Sequence, residues 1–252
     1  MGHSDYYTGV LKGAIYRMIP EATVIDITHT ITLEQGIVPA GYMLRNSYRL
    51  FPPDTIHMVA VNTKLDFESR HVVFEHDGHY FVGTDNGVFS LAFNNQPETI
   101  FDISHLEGAD GTFPALEVFV PVMAALANGK KPEEIGRPTI GLVQKTMFRP
   151  TIDADSILGT VIYSDNYGNA ITNITRELFN QVGQGRKYMV HIRSLEYGIP
   201  RISKSYAETE GGELLAVFNA SGNLEIAMSN GSLLQFLKIG VGANIRIAFK
   251  NN

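Results

Sequence analysis

Val161-Ile162-Tyr163-Ser164-Asp165-Asn166-Tyr167-Gly168-Asn169-Ala170-Ile171-Thr172-Asn173-Ile174 reads as strand, turn, strand. Val161 to Tyr163 is β-branched and aromatic, which suits a strand. Gly168 permits a tight turn or a close ligand approach. Asp165, Asn166, Asn169 and Asn173 supply one carboxylate and several amides. That set fits a ligand carrying an ammonium and neutral polar edges. The same residues are ordinary in hairpin turns, so both readings stand.

Working outward, strand patterns recur at 158–163, 170–174, 188–192, 214–218, 224–227 and 244–249, several of them separated by Gly-rich turns. Ser232 to Leu237 has room for one or two helical turns. The pattern predicts a small all-β, barrel-like or sandwich C-terminal domain. Upstream, Gly129-Lys130-Lys131-Pro132, Gly136, Pro138 and Pro150 form a dense run of breakers. The boundary is placed near Phe148, giving domains at 1–148 and 149–252.

The N-terminal half alternates differently. Tyr7, Val10, Leu11, Ala14, Ile15 and Met18 have helical spacing, ended by Pro20 and capped by Ser4 or Asp5. Ala22 to Ile27 reads as a buried strand and 38–48 as a helix with Pro39 in its first turn. Thr55 to Val61 reads as another strand. His76-Asp77-Gly78-His79 reads as a hairpin turn between strands at 72–75 and 80–82. Residues 118–128 read as a helix ending at Gly129. The prediction is an α/β domain with a largely parallel sheet, opening unusually on a helix, with ligands beyond the C-terminal strand ends.

Composition narrows the function classes. The 252 residues are 44% hydrophobic and 18% charged, as expected of globular chains. A net charge of −6 argues against a nucleic-acid surface. Without cysteine there is neither disulfide nor thiolate chemistry. No apolar run reaches membrane-span length and the N-terminus does not read as a signal peptide. A soluble, cytoplasmic protein is expected. His71, His76 and His79 cluster in sequence, but strand alternation and the turn do not make them converge, so no metal site is expected.

Several motifs, taken in order, resemble the S-adenosylmethionine (SAM) hydroxide adenosyltransferases, the SAM hydrolases related to the fluorinase and chlorinase enzymes. They are Asp5-Tyr6-Tyr7-Thr8-Gly9, Val24-Ile25-Asp26-Ile27-Thr28-His29, Phe51-Pro52-Pro53-Asp54-Thr55-Ile56-His57, Thr84-Asp85-Asn86-Gly87, Asp165-Asn166-Tyr167-Gly168-Asn169 and Asn219-Ala220-Ser221-Gly222-Asn223-Leu224-Glu225-Ile226-Ala227. The family's opening strand, with its Asp-Phe, has no counterpart here. The resemblance implies SAM as substrate or ligand with no cofactor, and a homotrimer whose ligand lies between one subunit's N-domain and its neighbour's C-domain. It sets Asp165 against the methionine ammonium, Tyr167 stacking, Asn169 hydrogen-bonding, and Ser221 with Met228 to Asn230 around adenine. Asp5, Tyr6, Asp85 and Asn86 join the ligand-binding set.

At the positions of chemistry the sequence departs. The family's Asp, Arg and His, thought to position and activate water, fall on Asn62, Ser69 and Pro114. A carboxylate accepts a proton from water, whereas an amide does not act as a general base. Positioning alone still contributes to rate. Asn62, with Asp66 and Arg70 as a substitute pair, is the catalytic candidate set. An exposed loop ion pair is the plainer reading of those last two. Three functions follow: SAM cleavage by water at C5′, a degenerate adenosine- or SAM-binding protein, or an enzyme with another nucleophile using Asp66, Arg70 and Glu117.

Overall fold

The computed structural model describes residues 2, 5–32, 36–67, 69–146, 148–193 and 197–250. Ser4, weighed above as a helix cap, lies outside them. The chain forms two compact units, Met1–Thr146 and Met147–Asn252.

The first unit contains helices α1 (Tyr7–Met18), α2 (Val38–Ser47), α3 (Val88–Ala92) and α4 (Val120–Ala127). Its strands are β1 (Ile56–Val59), β2 (Arg70–His76), β3 (His79–Asp85), β4 (Ile100–Asp102) and β5 (Arg137–Thr139), in sheet order β1-β3-β2-β4-β5. Alternation along the strands sorts the core onto two faces. Val73 and Val82 join Leu11, Ile15 and Met123 on one face. Val72, Phe74 and Phe81 join Leu44, Tyr48 and Phe89 on the other. The β2–β3 turn has left-handed φ at Asp77 (51°) and Gly78 (75°), as a two-residue type I′ hairpin requires.

Two expectations fail here. The sheet is not largely parallel: β1 and β3 run parallel, while β2–β3, β2–β4 and β4–β5 are antiparallel. The Asp-Gly hairpin forces the first of these antiparallel pairs. Nor is 22–27 a buried strand. It runs without regular structure, with Ile25 62% and Ile27 42% exposed. Among the described residues the terminal strand of the sheet is β1, and 22–27 pairs with no strand. The predicted helix at 118–128 begins earlier than expected, with a π-helical turn at Ala115–Phe119 leading into α4.

The second unit is a nearly closed, barrel-like sheet. Its strands are β6 (Thr151–Asp153), β7 (Ser156–Ser164), β8 (Ala170–Thr175), β9 (Tyr188–Ile192), β10 (Tyr197–Ile199), β11 (Ile202–Ser203), β12 (Leu214–Phe218), β13 (Asn223–Met228) and β14 (Asn244–Phe249). Eight follow the path β10-β9-β14-β7-β8-β13-β12-β11, and β6 adds to β7. The long β7 pairs with β14 through its first half and with β8 through its second. Ile157, Ile174, Val190, Leu224 and Ile247 fill the interior. Helix α5 (Arg176–Gly183), which the strand patterns gave no hint of, starts at Thr175, whose hydroxyl accepts from Leu178 N. Helix α6 (Leu233–Leu237) starts at Ser232, whose hydroxyl accepts from Gln235 N.

Candidate functional site

In the first unit the parallel pair β1 and β3 delivers its C-terminal ends side by side. There Asn86 Nδ2 donates to the carbonyls of Val61 (2.8 Å) and Asn62 (3.1 Å), and its Oδ1 accepts from Val88 N. Asn62 is exposed and left-handed, with φ 52°. Asn and Asp tolerate that conformation better than most residues. The structure thus joins Asn62 and Asn86 where ligands are expected in such sheets.

Asp85, predicted to touch ligand, is fully buried. Both its oxygens accept from Val143 N, and Arg70 lies 3.5 Å from Oδ2. Burial raises the Asp85 carboxyl above its ordinary range, against the pull of Val143 N–H and Arg70. Arg70 also donates to Thr139 Oγ1 and to the carbonyls of Ile140 and Gly141. Its carboxylate partner is therefore Asp85 and not Asp66, and this ion pair fastens residues 139–143 to the sheet. Asp66 sits on an exposed loop, bridged to Ser69 by backbone and side-chain bonds. Glu117 lies on the π-helical turn against Gly108 and Gly111.

Asp5 and Tyr6 are exposed at the start of α1, where Asp5 Oδ1 accepts from Tyr6 N. Tyr6 stacks on Tyr7, whose ring meets Phe113 edge-on at 5.4 Å. Asp26, on the 22–28 segment, accepts from Lys12 Nζ at 2.5 Å and lies 3.1 Å from His29 Nε2. Those partners, Lys12 first, hold its carboxyl below the usual range. Sequence reasoning quoted Asp26 and His29 but did not assign them a joint position.

In the second unit the Asp165 turn folds as an Asx turn. Asp165 Oδ1 accepts from the N–H groups of Tyr167 (3.0 Å) and Asn169 (2.8 Å), and Oδ2 accepts from Asn169 Nδ2 (3.0 Å). Asp165 stays partly exposed and Tyr167 is 81% exposed, so a carboxylate and an aromatic face remain presented outward. Gly168, at φ 80°, packs directly on Ser232, and its carbonyl accepts from Leu234 N. The turn is thereby joined to the 228–232 loop, which includes Met228 and the left-handed Asn230. Asn173 is committed elsewhere: it accepts from Thr160 N and donates to Phe148 O.

Ser221 does not join this cluster. It belongs to the β12–β13 hairpin, its hydroxyl within hydrogen-bond distance of both Asn219 Oδ1 (2.7 Å) and Asn223 Oδ1 (3.1 Å). It precedes β13 by two residues, and Met228 closes that six-residue strand. At roughly 3.4 Å per residue the two are far apart within one chain. Sequence reasoning missed a second feature, Glu225. It is buried on β13 and accepts from Tyr206 Oη (2.5 Å) and Asn219 Nδ2 (3.2 Å). An acid inside the apolar run Leu224-Glu225-Ile226-Ala227 was the signal available. Burial, with Glu225 and Asp165 adding to it, raises the Tyr206 hydroxyl well above its ordinary value.

Among the described residues no three His, Cys, Asp or Glu side chains are grouped to hold a metal ion, and no helix is long and apolar enough to cross a membrane.

The chain matches two family models, the SAM hydroxide adenosyltransferase N-terminal domain over residues 1–136 and its C-terminal domain over residues 159–246. It is 28% identical to the (R)-S-adenosyl-L-methionine hydrolase of Thermus thermophilus, covering 98% of this chain and 96% of that one. The hydrolase of Methanocaldococcus jannaschii is 29% identical over 92% and 88% of the two chains, and the fluorinase of Nocardia brasiliensis 25% over 98% and 94%. Among solved structures, an uncharacterized conserved protein from Thermotoga maritima superposes with a TM-score of 0.85 at 28% identity, covering 98% of this chain and 97% of that one.

Proposed function

The chain belongs to the SAM hydroxide adenosyltransferase family, and on that premise we propose that it cleaves S-adenosylmethionine with water, releasing adenosine and methionine. The observation that carries this reading is the nearly end-to-end match with relatives named SAM hydrolases. In the reaction a bond forms between water oxygen and ribose C5′. The C5′–sulfur bond breaks, and its electron pair neutralises the sulfonium. One water proton is lost to solvent.

The residues of this chain divide that work. The partly exposed Asp165 carboxylate receives the methionine ammonium, and the exposed Tyr167 ring stacks on the ligand. Asn169, buried and bonded to Asp165, fixes the carboxylate's orientation. Asn62 offers an amide to orient water but no base to take its proton. The sulfonium is a good leaving group, so positioning supplies much of the acceleration. A homotrimeric assembly belongs to the same proposal.

The test is incubation of purified protein with SAM, followed by chromatography. Adenosine and methionine should accumulate in equal amounts and in proportion to protein. SAM that stays intact above the no-protein rate overturns the reading.

A further inference from the structure

Glu225 is buried on β13 between Leu224 and Ile226, both of which belong to the barrel interior. Strand alternation turns it to the outer face. Ile171 of β8 lies opposite both Glu225 of β13 and Tyr163 of β7, so these three side chains share that face. Asp165 follows Tyr163 by two positions, in the turn that closes β7 on β8. With strands about 4.8 Å apart, Glu225 lies on the order of 10 Å from Asp165, two strands across the same end of the sheet.

The charge at Glu225 has no counter-ion. Its Oε1 accepts from Tyr206 Oη and its Oε2 from Asn219 Nδ2, and acceptance at both oxygens is the behaviour of an ionised carboxylate. Among the described residues no Lys, Arg or His forms an ion pair with it. Two neutral donors offset only part of the cost of taking a carboxylate out of water. The buried charge also reaches the Asp165 turn. The hydroxyl of the half-exposed Tyr206 is raised by burial first, then by Glu225 and by Asp165. The chain after Tyr206 is tied to the 228–232 loop, since Thr209 O accepts from Ser229 Oγ and Ser229 O accepts from Gly212 N.

We infer that Glu225 is a specificity-determining residue of the Asp165 site: its buried negative charge adds to that of Asp165 and favours SAM, which is cationic, over the uncharged product adenosine. Glu225 acts through its field and touches no reacting atom. The ligand's cation supplies the counter-charge that the protein withholds, and the product that has lost both the ammonium and the sulfonium leaves without that attraction. The inference rests on the proposed SAM cleavage and deepens it.

The test uses initial rates of SAM cleavage for KM and kcat, with adenosine as a competing inhibitor. Glu225→Gln keeps the side-chain shape and an acceptor for Tyr206 while removing the charge. KM for SAM should rise about fourfold to fifteenfold, the effect of one charge at about 10 Å with an effective dielectric of about 40 to 20. Turnover should change by less than about twofold and the inhibition constant of adenosine should stay the same. Tyr206→Phe keeps the charge and loses one hydrogen bond, so the ratio of the two constants should match wild type; it remains informative if Glu225→Gln fails to fold, which circular dichroism checks. Equal weakening of SAM and adenosine in Glu225→Gln would mark a role in shaping the site alone and overturn the inference. An unchanged KM, or a ratio that falls in Tyr206→Phe, would also overturn it. Wild type that leaves SAM intact overturns the proposed reaction and this inference with it, whereas wild type that cleaves SAM with a ratio indifferent to Glu225→Gln overturns this inference alone.

Discussion

Arg70 and Asp85 form an ion pair in which the carboxylate is completely buried and the guanidinium is partly exposed, 3.5 Å apart. Residues facing each other at the open end of the β2–β3 hairpin supply it, since Arg70 lies opposite Asp85 in the register. The hairpin therefore sets the pair, and the pair in turn holds Val143 and the carbonyls of Ile140 and Gly141.

Removing the cation should strand the anion. Arg70→Ala is expected to destabilise the first unit by about 3 kcal/mol at pH 7, the order found when one partner of a buried pair is deleted. The loss should shrink as pH falls. Burial already raises the Asp85 carboxyl, and without Arg70 it would rise further, so acid neutralises the buried charge. Urea unfolding at pH 7 and pH 5 measures both effects. An equal loss at the two pH values would contradict this account.

His57 gives the opposite sign. It is buried, stacks on Phe81 at 5.1 Å, and lies 5.2 Å from His79. Burial first, and His79 second, push its pKa down to about 4. The unfolded chain then binds the proton more readily than the folded one. Stability from this site is full above the ordinary histidine value near 6.5 and is lost as pH falls toward 4, by roughly 2 to 3 kcal/mol. His57→Phe should flatten the acid limb of a stability-versus-pH curve. An unchanged limb would assign the acid sensitivity elsewhere.

Asp165 has two duties that a pair of substitutions can separate. Asp165→Asn keeps an acceptor for the N–H groups of Tyr167 and Asn169 and loses only the bond from Asn169 Nδ2, so stability should fall by no more than about 1 kcal/mol. It removes the charge that would face an ammonium, so KM for SAM should rise at least about tenfold. Asp165→Ala should lose the turn as well, at a further cost of about 1 to 2 kcal/mol. KM unchanged in Asp165→Asn would remove the ammonium role.

Gly168→Ala should damage the same site through the backbone. Its φ of 80° disfavours a side chain, and an added Cβ would collide with Ser232. The expected result is a loss of more than about 1 kcal/mol, together with weaker SAM binding, because the turn and the 228–232 loop are displaced together. Denaturation and ligand titration of the one variant report both.

The β-rich half was largely legible in sequence because its strands carry their own signal. The runs 188–192, 214–218 and 244–249 were read with the observed bounds, since alternation and flanking turns depend on local residues. Helix α5 escaped because Arg176-Glu177-Leu178-Phe179 carries its start in a single hydroxyl, that of Thr175. The segment 22–27 was misread for a different reason. Strand propensity states what a segment can do beside a partner, and no partner edge adjoins it here. For the candidate site, Asn62 and Asn86 were singled out by motif, and their contact comes from parallel strand ends that no local pattern encodes. Asp66 and Arg70, neighbours in sequence, were separated because Arg70 turns to the buried Asp85 across the hairpin.

The double pairing of β7 bears on how the second unit is made during synthesis. Its β8 partner follows within a few residues, so that hairpin can close early and cheaply. Its other partner, β14, begins about 80 positions after β7 ends, and joining it means closing a loop of that length. A nascent chain halted before β14 would leave one edge of the first half of β7 uncovered, open to pairing with a neighbouring chain. Barrel completion is thus a late, slow event, and aggregation on the ribosome should depend on how quickly β14 emerges.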